Sequence, residues 1–188
     1  MPERGVDHGA DHAAIRAEQS ADVSAIAAVV EAAFGSPVEA RLVEAIRRSP
    51  EYAAEWSLVA EVDGEIVGHV MVSYASLVEE GDASQRRIAM LSPLAVTPDR
   101  QRMGIGSALV RAVAQLVDEV GEPCIILEGS PVYYRRFGFE PAAPLGIRIP
   151  IPAWAPPEAG QVMRLSAYEP AIRGQVVYPP AFDAVAGH

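Results

Sequence analysis

The sequence contains no lysine, and all fifteen of its basic residues are arginines. Against twenty-five acidic residues, this gives a formal net charge of −10. A protein that binds nucleic acid without sequence preference needs a basic surface to neutralise phosphates. The charge balance therefore argues against a nucleic-acid partner, and the acidic surplus mainly favours solubility.

Cysteine and histidine are scarce. The single Cys124 cannot form an internal disulfide, which favours a reducing compartment. Four scattered histidines and one cysteine have no metal-ligand spacing, so the sequence predicts no metal site. Because Cys124 begins the apolar run 124–127, we expect its thiol to be buried and inert.

Long apolar runs are also missing. None approaches the ~20 residues of a membrane-spanning helix, so we expect no membrane segment. Residues 1–12 lack the basic start and apolar stretch of a signal peptide and are interpreted as a disordered lead. Half of the residues are hydrophobic, enough for the core of one domain over residues 13–188. We expect a cytoplasmic protein.

Two hydrophobic periods alternate in the first half of the chain. Apolar residues spaced three and four apart predict helices, the first of them with Ser20 as N-cap. Stretches rich in β-branched and aromatic residues predict strands, and Asp63-Gly64 predicts a hairpin with a type I′ turn. The predicted elements are strands at 14–18, 56–62, 65–74 and 87–96 and helices at 22–34 and 38–48.

Helical periodicity returns after Gly104 and continues until Gly121. A short apolar run and a brief helix follow, and the segment Pro150–Pro157 is too rich in proline for a regular element. The predicted elements of this half are helices at 105–120 and 131–137 and strands at 124–127 and 162–168. The order of elements predicts a mixed α/β domain.

The most informative segment is the glycine loop, residues 98–107, between a predicted strand and the longest predicted helix. Gly104 and Gly106 let the main chain approach a ligand closely. The N–H groups at the start of the helix are without intrahelical partners, and the helix dipole favours an anion there. The loop therefore predicts a diphosphate-binding site.

Two common phosphate motifs do not fit this loop. A P-loop requires lysine, which the chain lacks, and a dinucleotide fingerprint requires a third glycine where Leu109 stands. The remaining pattern is Gln-x-x-Gly-x-Gly, formed by Gln101 to Gly106 after the strand residues Leu94-Ala95-Val96. This pattern resembles the acetyl-CoA-binding motif of the GCN5-related N-acetyltransferases, the GNAT superfamily.

The resemblance extends over most of the chain, from Ile15 to Phe182. Tyr133 to Phe139 resembles the family's late Tyr-x-x-x-Gly-Phe element. Other segments are similar to the branch of predicted small-ligand acetyltransferases. They are Val67-Gly68-His69, Gly129-Ser130-Pro131, Gly146-Ile147-Arg148 and the tail 177–182.

This resemblance implies a GNAT fold, a central twisted mixed β-sheet flanked by helices. Its fourth and fifth strands, 87–96 and 124–128, would splay apart around the thioester, and residues 145–188 would cover the acceptor side. The backbone of Leu94, Ala95 and Val96 would pair with the pantetheine arm of acetyl-CoA. The pyrophosphate would bind the main-chain amides of Arg102, Met103, Gly104, Ile105, Gly106 and Ser107.

Acetyl transfer to an amine requires a neutral amine and a proton for the leaving thiolate. An amine of pKa ~10 is almost wholly protonated at neutral pH, so a base must remove that proton. The family spacing makes Tyr134, four residues before Gly138, the candidate acid. Glu128, at the end of the predicted fifth strand, is the candidate base, acting through a water.

Other groups near the expected cleft have structural explanations as well as catalytic ones. His69 would be a base in a strand, where histidines are more often structural, and Glu39 and Glu44 fit a solvated helix face. Cys124 would permit an acyl-cysteine route, but nothing nearby activates it, so we expect direct attack in a ternary complex.

Three functions remain open at this point. The resemblance implies an N-acetyltransferase acting on a small-molecule amine. A non-catalytic acyl-CoA sensor would keep the glycine loop without an acid or a base. A transferase for protein N-termini or lysines needs an open groove, against which the covering tail argues. Relatives are commonly homodimers, so the resemblance also admits a homodimer.

Overall fold

The computed structural model describes residues 13–79 and 84–184. The predicted lead, residues 1–12, lies outside the described residues. Within the described ranges the helices are α1 Val23–Phe34, α2 Val38–Arg47, α3 Ile105–Glu119 and α4 Pro131–Tyr134. The strands there are β1 Ala14–Ala17, β2 Tyr52–Val62, β3 Glu65–Val78, β4 Gln85–Val96, β5 Cys124–Glu128, β6 Glu140–Pro141, β7 Ile147–Arg148, β8 Gly160–Arg164 and β9 Gly174–Val177.

The described strands form one mixed sheet with the main order β1-β2-β3-β4-β5-β8-β6. Beside this path, β9 pairs with both β3 and β7. The pairs β4–β5 and β7–β9 are parallel, and the other pairs are antiparallel. This sheet with its flanking helices confirms the predicted fold class.

The β2–β3 hairpin turns at Asp63-Gly64, as predicted. Both residues have positive φ, 51° and 82°, as a type I′ turn requires. The two strands are longer than the sequence pattern indicates, because cross-strand pairing continues past the apolar runs.

Helices cover the two faces of the sheet. Val70 and Val72 of β3 pack with Leu109 of α3 in one core cluster. Met71, between them, packs with α1 and α2 in another cluster. Since successive side chains of a strand point to opposite faces, α3 lies on one face and the α1–α2 pair on the other.

The strands β4 and β5 separate after a short parallel contact. They pair only at Ala89–Ile125 and Met90–Ile126. The β3–β4 register shifts just beyond, between the Val70–Leu94 and Val72–Leu91 pairs. A bulge of this kind bends a strand away from its former direction. The predicted splay is confirmed, and it leaves a gap on the β5 side of residues 91–96.

Two local predictions were wrong. Ser20 does not cap α1, since it begins a 3-10 turn at Ser20–Asp22, where the carboxylate of Asp22 accepts the Gln19 N–H at 2.7 Å. The predicted strand 162–168 is β8, at 160–164, and the strands β6, β7 and β9 were missed. Strands of two to four residues, one of them containing Gly174, carry too little hydrophobic pattern to be recognised.

Candidate functional site

The glycine loop has the backbone shape of an anion-binding turn. Arg102 and Gly104 both have left-handed φ, 65° and 89°, and Gly104 is the N-cap of α3. In the described part of the chain, no side-chain hydrogen bond caps this helix start, so its first amides are available to a ligand. The Gln101 side chain donates a hydrogen bond of 3.1 Å to the Val96 carbonyl, which fastens the loop to β4.

A cavity of about 560 Å³ lies in front of this loop. Six of the nine predicted coenzyme-binding residues line it, namely Leu94, Val96, Arg102, Gly104, Gly106 and Ser107. The side chains of the other three point elsewhere. Ala95 and Ile105 are buried in core clusters, and Met103 is 55% exposed. Main-chain contacts predicted for these three residues do not depend on their side chains.

Tyr133 closes one side of the cavity. A Cβ atom at Gly106 would lie 2.7 Å from the Tyr133 hydroxyl, closer than packed atoms approach each other. A side chain at position 106 would therefore have to displace the phenol, which lies against the first turn of α3. Sequence reasoning missed Tyr133 as a cavity residue, because the family spacing directs attention to its neighbour Tyr134.

Tyr134 packs beside Tyr133, with ring centroids 4.9 Å apart in an edge-to-face arrangement. Its other neighbours include Phe139, at 5.5 Å between centroids, and Gly129, where a Cβ would lie 2.6 Å from the ring. Burial raises the pKa of the Tyr134 phenol above its ordinary value of 10. The hydroxyl therefore stays protonated throughout the physiological range.

Glu128 is the last residue of β5, so it lies on the β5 side of the gap between β4 and β5. Its side chain is exposed, yet the surrounding protein partly desolvates the carboxylate and raises its pKa. Tyr178, in the C-terminal tail, lies close enough for the Glu128 charge to contribute, after burial, to a raised phenol pKa. The fold thus brings Tyr178 of the tail near the candidate base.

His69 is enclosed in the middle of the sheet. It is 0% exposed, and its Nδ1 lies 3.1 Å from the Leu58 carbonyl. Burial lowers the pKa of the imidazole to about 4, although the nearby Glu18 charge acts in the opposite direction. A neutral, solvent-shielded histidine has no path for a proton from an acceptor amine, so His69 is structural.

The acidic residues of α2 have different surroundings. Glu44 forms ion pairs with Arg47, at 2.7 Å, and with Arg48. In Glu39, the buried Oε2 atom lacks a hydrogen-bond partner among the described residues. The two ion pairs of Glu44 hold its carboxylate at the surface of α2.

A buried charge network fastens α2 to the sheet. Arg47 Nε donates to Glu18 Oε1 at 2.8 Å, and Tyr52 and Ser57 donate to the same carboxylate. Burial acts to raise the pKa of Glu18, but hydrogen bonds from Arg47, Ser57 and Tyr52 outweigh it and lower the pKa. Sequence reasoning missed this network, since its members lie up to 39 residues apart.

Cys124 is the first residue of β5, and its side chain is fully buried in the core. Burial raises the pKa of its thiol to about 12, with a further contribution from Glu122. A thiol of this kind forms no thiolate near neutral pH and is a poor nucleophile. The surroundings of Cys124 favour direct transfer over an acyl-cysteine route.

Within 13–79 and 84–184, His, Cys, Asp and Glu side chains form no group of three that would hold a metal ion. In the same ranges, no helix has the length and apolarity needed to cross a membrane.

Known proteins similar to this chain share one family description. The profile of the acetyltransferase (GNAT) domain matches residues 14–142. YjhQ, an uncharacterized N-acetyltransferase of Escherichia coli K12, is 36% identical over 118 residues. That alignment covers 63% of this chain and 64% of YjhQ, so the chain matches less than two thirds of that relative. YhbS, an uncharacterized N-acetyltransferase of the same organism, is 30% identical over 75% of this chain and 80% of YhbS.

Two solved structures are similar over nearly the whole chain. The crystal structure of YhbS from Escherichia coli in complex with CoA has a TM-score of 0.80 and 29% identity, covering 96% of both chains. A GNAT family acetyltransferase from Brucella melitensis, in complex with acetyl-CoA, has a TM-score of 0.72 and 31% identity. That match covers 92% of this chain and 99% of the Brucella protein.

Proposed function

Because the chain belongs to the GNAT family of acetyl-CoA-dependent acyltransferases, we propose that it transfers the acetyl group of acetyl-CoA to the amine of a small molecule. One observation carries this proposal: the cavity at the glycine loop adjoins the gap between β4 and β5. Related proteins of this fold have been crystallised with CoA and with acetyl-CoA.

The residues around the cavity fit the coenzyme. The uncapped amides from Arg102 to Ser107 and the α3 dipole suit its diphosphate. Strand β4 pairs with β3 on one side, while no described strand pairs with its residues Leu94, Ala95 and Val96 on the β5 side. Their free main-chain groups would hold the pantetheine arm like an added strand. When bound, acetyl-CoA supplies an activated acyl thioester.

Glu128 and Tyr134 carry the proton transfers in this proposal. Glu128 accepts, through a water, the proton that the acceptor amine must lose before its lone pair attacks the acetyl carbon. The new C–N bond forms as the C–S bond breaks, and Tyr134 donates its phenolic proton to the departing sulfur. The nitrogen then loses its second proton to give the neutral amide, and that proton restores the Tyr134 phenol. A β4 main-chain N–H near Val96 polarises the carbonyl. The raised pKa of Tyr134 keeps the donor protonated, and it also makes the phenol a weaker acid towards the thiolate.

The C-terminal tail supports a small acceptor. The 3-10 turn Pro180–Ala184 packs on α2, with Ala181 and Phe182 in contact with its core cluster. Tyr178 of the same tail lies near Glu128. A segment in this position leaves less room for a polypeptide beside the candidate base. We therefore propose a small-molecule amine in preference to a protein N-terminus or lysine.

We further propose that residues 13–188 form one domain that works in the cytoplasm, which the lone buried Cys124 supports. The homodimer admitted by the resemblance stays a prediction.

The decisive experiment is a screen of amines with acetyl-CoA, read as thiol release and as the mass of the acetylated product. We expect turnover with at least one amine. Tyr134→Phe should lower kcat by about 100-fold or more, in the range of a lost general acid. Binding of CoA without turnover on any amine, and no effect of Tyr134→Phe, would instead identify a sensor.

The coenzyme site has a matched pair of variants. Gly104→Ala and Gly121→Ala both place a Cβ at a left-handed φ, 89° and 83°, where no atom of the described residues lies within 4 Å. Both therefore have the same backbone strain, but only Gly104 lines the cavity. We expect Gly104→Ala to weaken CoA binding by about 10-fold or more, the effect of a lost hydrogen bond to a charged group, and Gly121→Ala to leave it unchanged.

A further inference from the structure

The cavity concentrates positive charge in an acidic protein. The chain has a net charge of −10, yet three of its fifteen arginines, Arg100, Arg102 and Arg136, line this one cavity. Among the described residues that line it, there is no aspartate or glutamate. The third arginine comes from a different part of the chain, after α4, and faces the glycine loop from the Tyr133 side.

Arg136 is held in place before any ligand binds. Its Cζ lies 4.1 Å from the centroid of the Tyr133 ring and 5.2 Å from that of Phe137. Its Nε donates a hydrogen bond of 3.0 Å to the Tyr133 carbonyl. In the part of the chain that the structure describes, no carboxylate forms an ion pair with Arg136. A guanidinium fixed in this way has charge and donors to offer an anion at little cost in conformational entropy.

The diphosphate alone does not account for Arg136. The glycine loop already provides consecutive main-chain donors, the α3 dipole and Arg102 for that group. The cavity, about 560 Å³, has the size of a site for a whole ligand and extends beyond a diphosphate. The other anionic group of coenzyme A is the phosphate on the 3′-oxygen of its ribose, a monoester with a charge of about −2 near neutral pH.

We propose that Arg136 binds the 3′-phosphate of coenzyme A and makes the protein select coenzyme A over 3′-dephospho-CoA. The inference rests on the proposed function only in taking this cavity as the coenzyme site. Tyr133 connects the two phosphate positions, because its hydroxyl touches the first turn of α3 while its ring supports Arg136. The arginine thus lies beside the diphosphate seat, within reach of a second phosphate of the same ligand.

Calorimetry with the full-length protein tests the inference without relying on turnover. CoA and 3′-dephospho-CoA are titrated into the wild type, Arg136→Gln and Arg135→Gln. Arg135 is a matched control, since it is exposed like Arg136 but does not line the cavity. We expect the wild type to bind CoA about 10- to 100-fold more tightly than 3′-dephospho-CoA, the range for a charge-assisted hydrogen bond.

Arg136→Gln should remove this difference by weakening CoA alone, and Arg135→Gln should preserve it. An unchanged affinity for 3′-dephospho-CoA shows that the variant is folded and that the diphosphate seat is intact. Equal weakening of both ligands by Arg136→Gln would place the side chain at the diphosphate or in a structural role and overturn the inference. Equal affinities in the wild type would also overturn it. Failure of the wild type to bind either ligand would reject the proposed function as well.

Discussion

At the scale of single residues, the candidate site was predictable where its function depends on the main chain. Gly104 and Gly106 can be recognised in the sequence because each has a feature that favours glycine. Gly104 has a left-handed φ, and the Tyr133 hydroxyl lies close to Gly106. The side chains that complete the cavity were less visible. The spacing that singles out Tyr134 says nothing of which neighbouring ring faces the glycine loop, and the structure places Tyr133 there. That choice depends on how α4 is rotated against the sheet.

The raised pKa of Glu128 leads to a pH prediction. If Glu128 is the base, it works only as the carboxylate, so kcat should fall as pH drops through its pKa. Desolvation moves that midpoint above the ordinary value for glutamate. Glu128→Gln should remove this acidic limb and lower kcat by about 100-fold or more. The measurement is kcat against pH with a saturating acceptor.

Glu119→Gln is the control for this profile, since that glutamate lies at the exposed end of α3 and, within the described ranges, accepts a hydrogen bond from Gln115 alone. The control should retain the wild-type profile. An acidic limb that persists unchanged in Glu128→Gln would show that another group supplies the base.

His69 gives a second pH prediction, on stability. The unfolded imidazole binds a proton near pH 6.5, whereas the folded one, with a pKa of about 4, does not. Its contribution to stability is therefore complete above pH 6.5 and is lost as pH falls towards 4, amounting to roughly 3 kcal/mol. Glu18 and Arg47, the charged groups that face it, modify this value in opposite directions.

Urea unfolding at pH 7 and pH 4.5 measures this contribution. Other carboxylates titrate in the same range, so the useful quantity is the difference between the wild type and His69→Gln. We expect His69→Gln to lose less stability than the wild type over this interval. Parallel losses in the two proteins would mean that His69 accepts a proton in the folded state near its ordinary pKa.

At the scale of elements, the sequence predicts what local pattern determines. The hairpin at Asp63-Gly64 and the helix α3 follow from turn chemistry and from a repeated apolar spacing. The strands β6, β7 and β9 do not follow from local pattern, because each forms by pairing with another strand: β6 with β8, β7 with β9, and β9 with β3. The attachment of α2 was equally hidden, since Glu18 and Arg47 meet only after the sheet is assembled.

The Glu18–Arg47 pair should be essential to the stability of α2. The Glu18 side chain is 6% exposed and that of Arg47 15%, so Arg47→Met leaves a buried carboxylate without its partner. We expect the free energy of unfolding to fall by about 3–5 kcal/mol in urea titrations. Glu18→Gln added to that variant should recover part of the loss, because it removes the uncompensated charge.

Arg48→Met is the matched control on the same helix. Arg48 is 75% exposed and pairs with Glu44 at the surface, where an ion pair contributes about 1 kcal/mol or less. Comparable losses from the two substitutions would contradict a special role for the buried pair.

At the scale of the whole molecule, the C-terminal tail joins regions that the chain order separates. Phe182 packs against the cluster beneath α1 and α2 and also against the cluster formed by β5, β8 and the C-terminal segments. Its ring lies 5.1 Å from that of Tyr178, which neighbours Glu128. The tail therefore connects α2 to the candidate base, on the side of the gap away from α3. Local sequence patterns could not show this connection.

Phe182→Ala should separate acceptor binding from coenzyme binding. Because the ring is only partly buried, its removal should cost about 2 kcal/mol of stability, below the range for a fully buried phenylalanine. The loosened tail should raise KM for the acceptor several-fold, whereas the glycine loop on the other face should bind CoA as before. Phe34→Ala, at the 46% exposed end of α1, removes a ring without disturbing the tail and should leave both constants unchanged. If Phe182→Ala weakened CoA binding as much as acceptor binding, the tail would be supporting the whole sheet instead of the acceptor side.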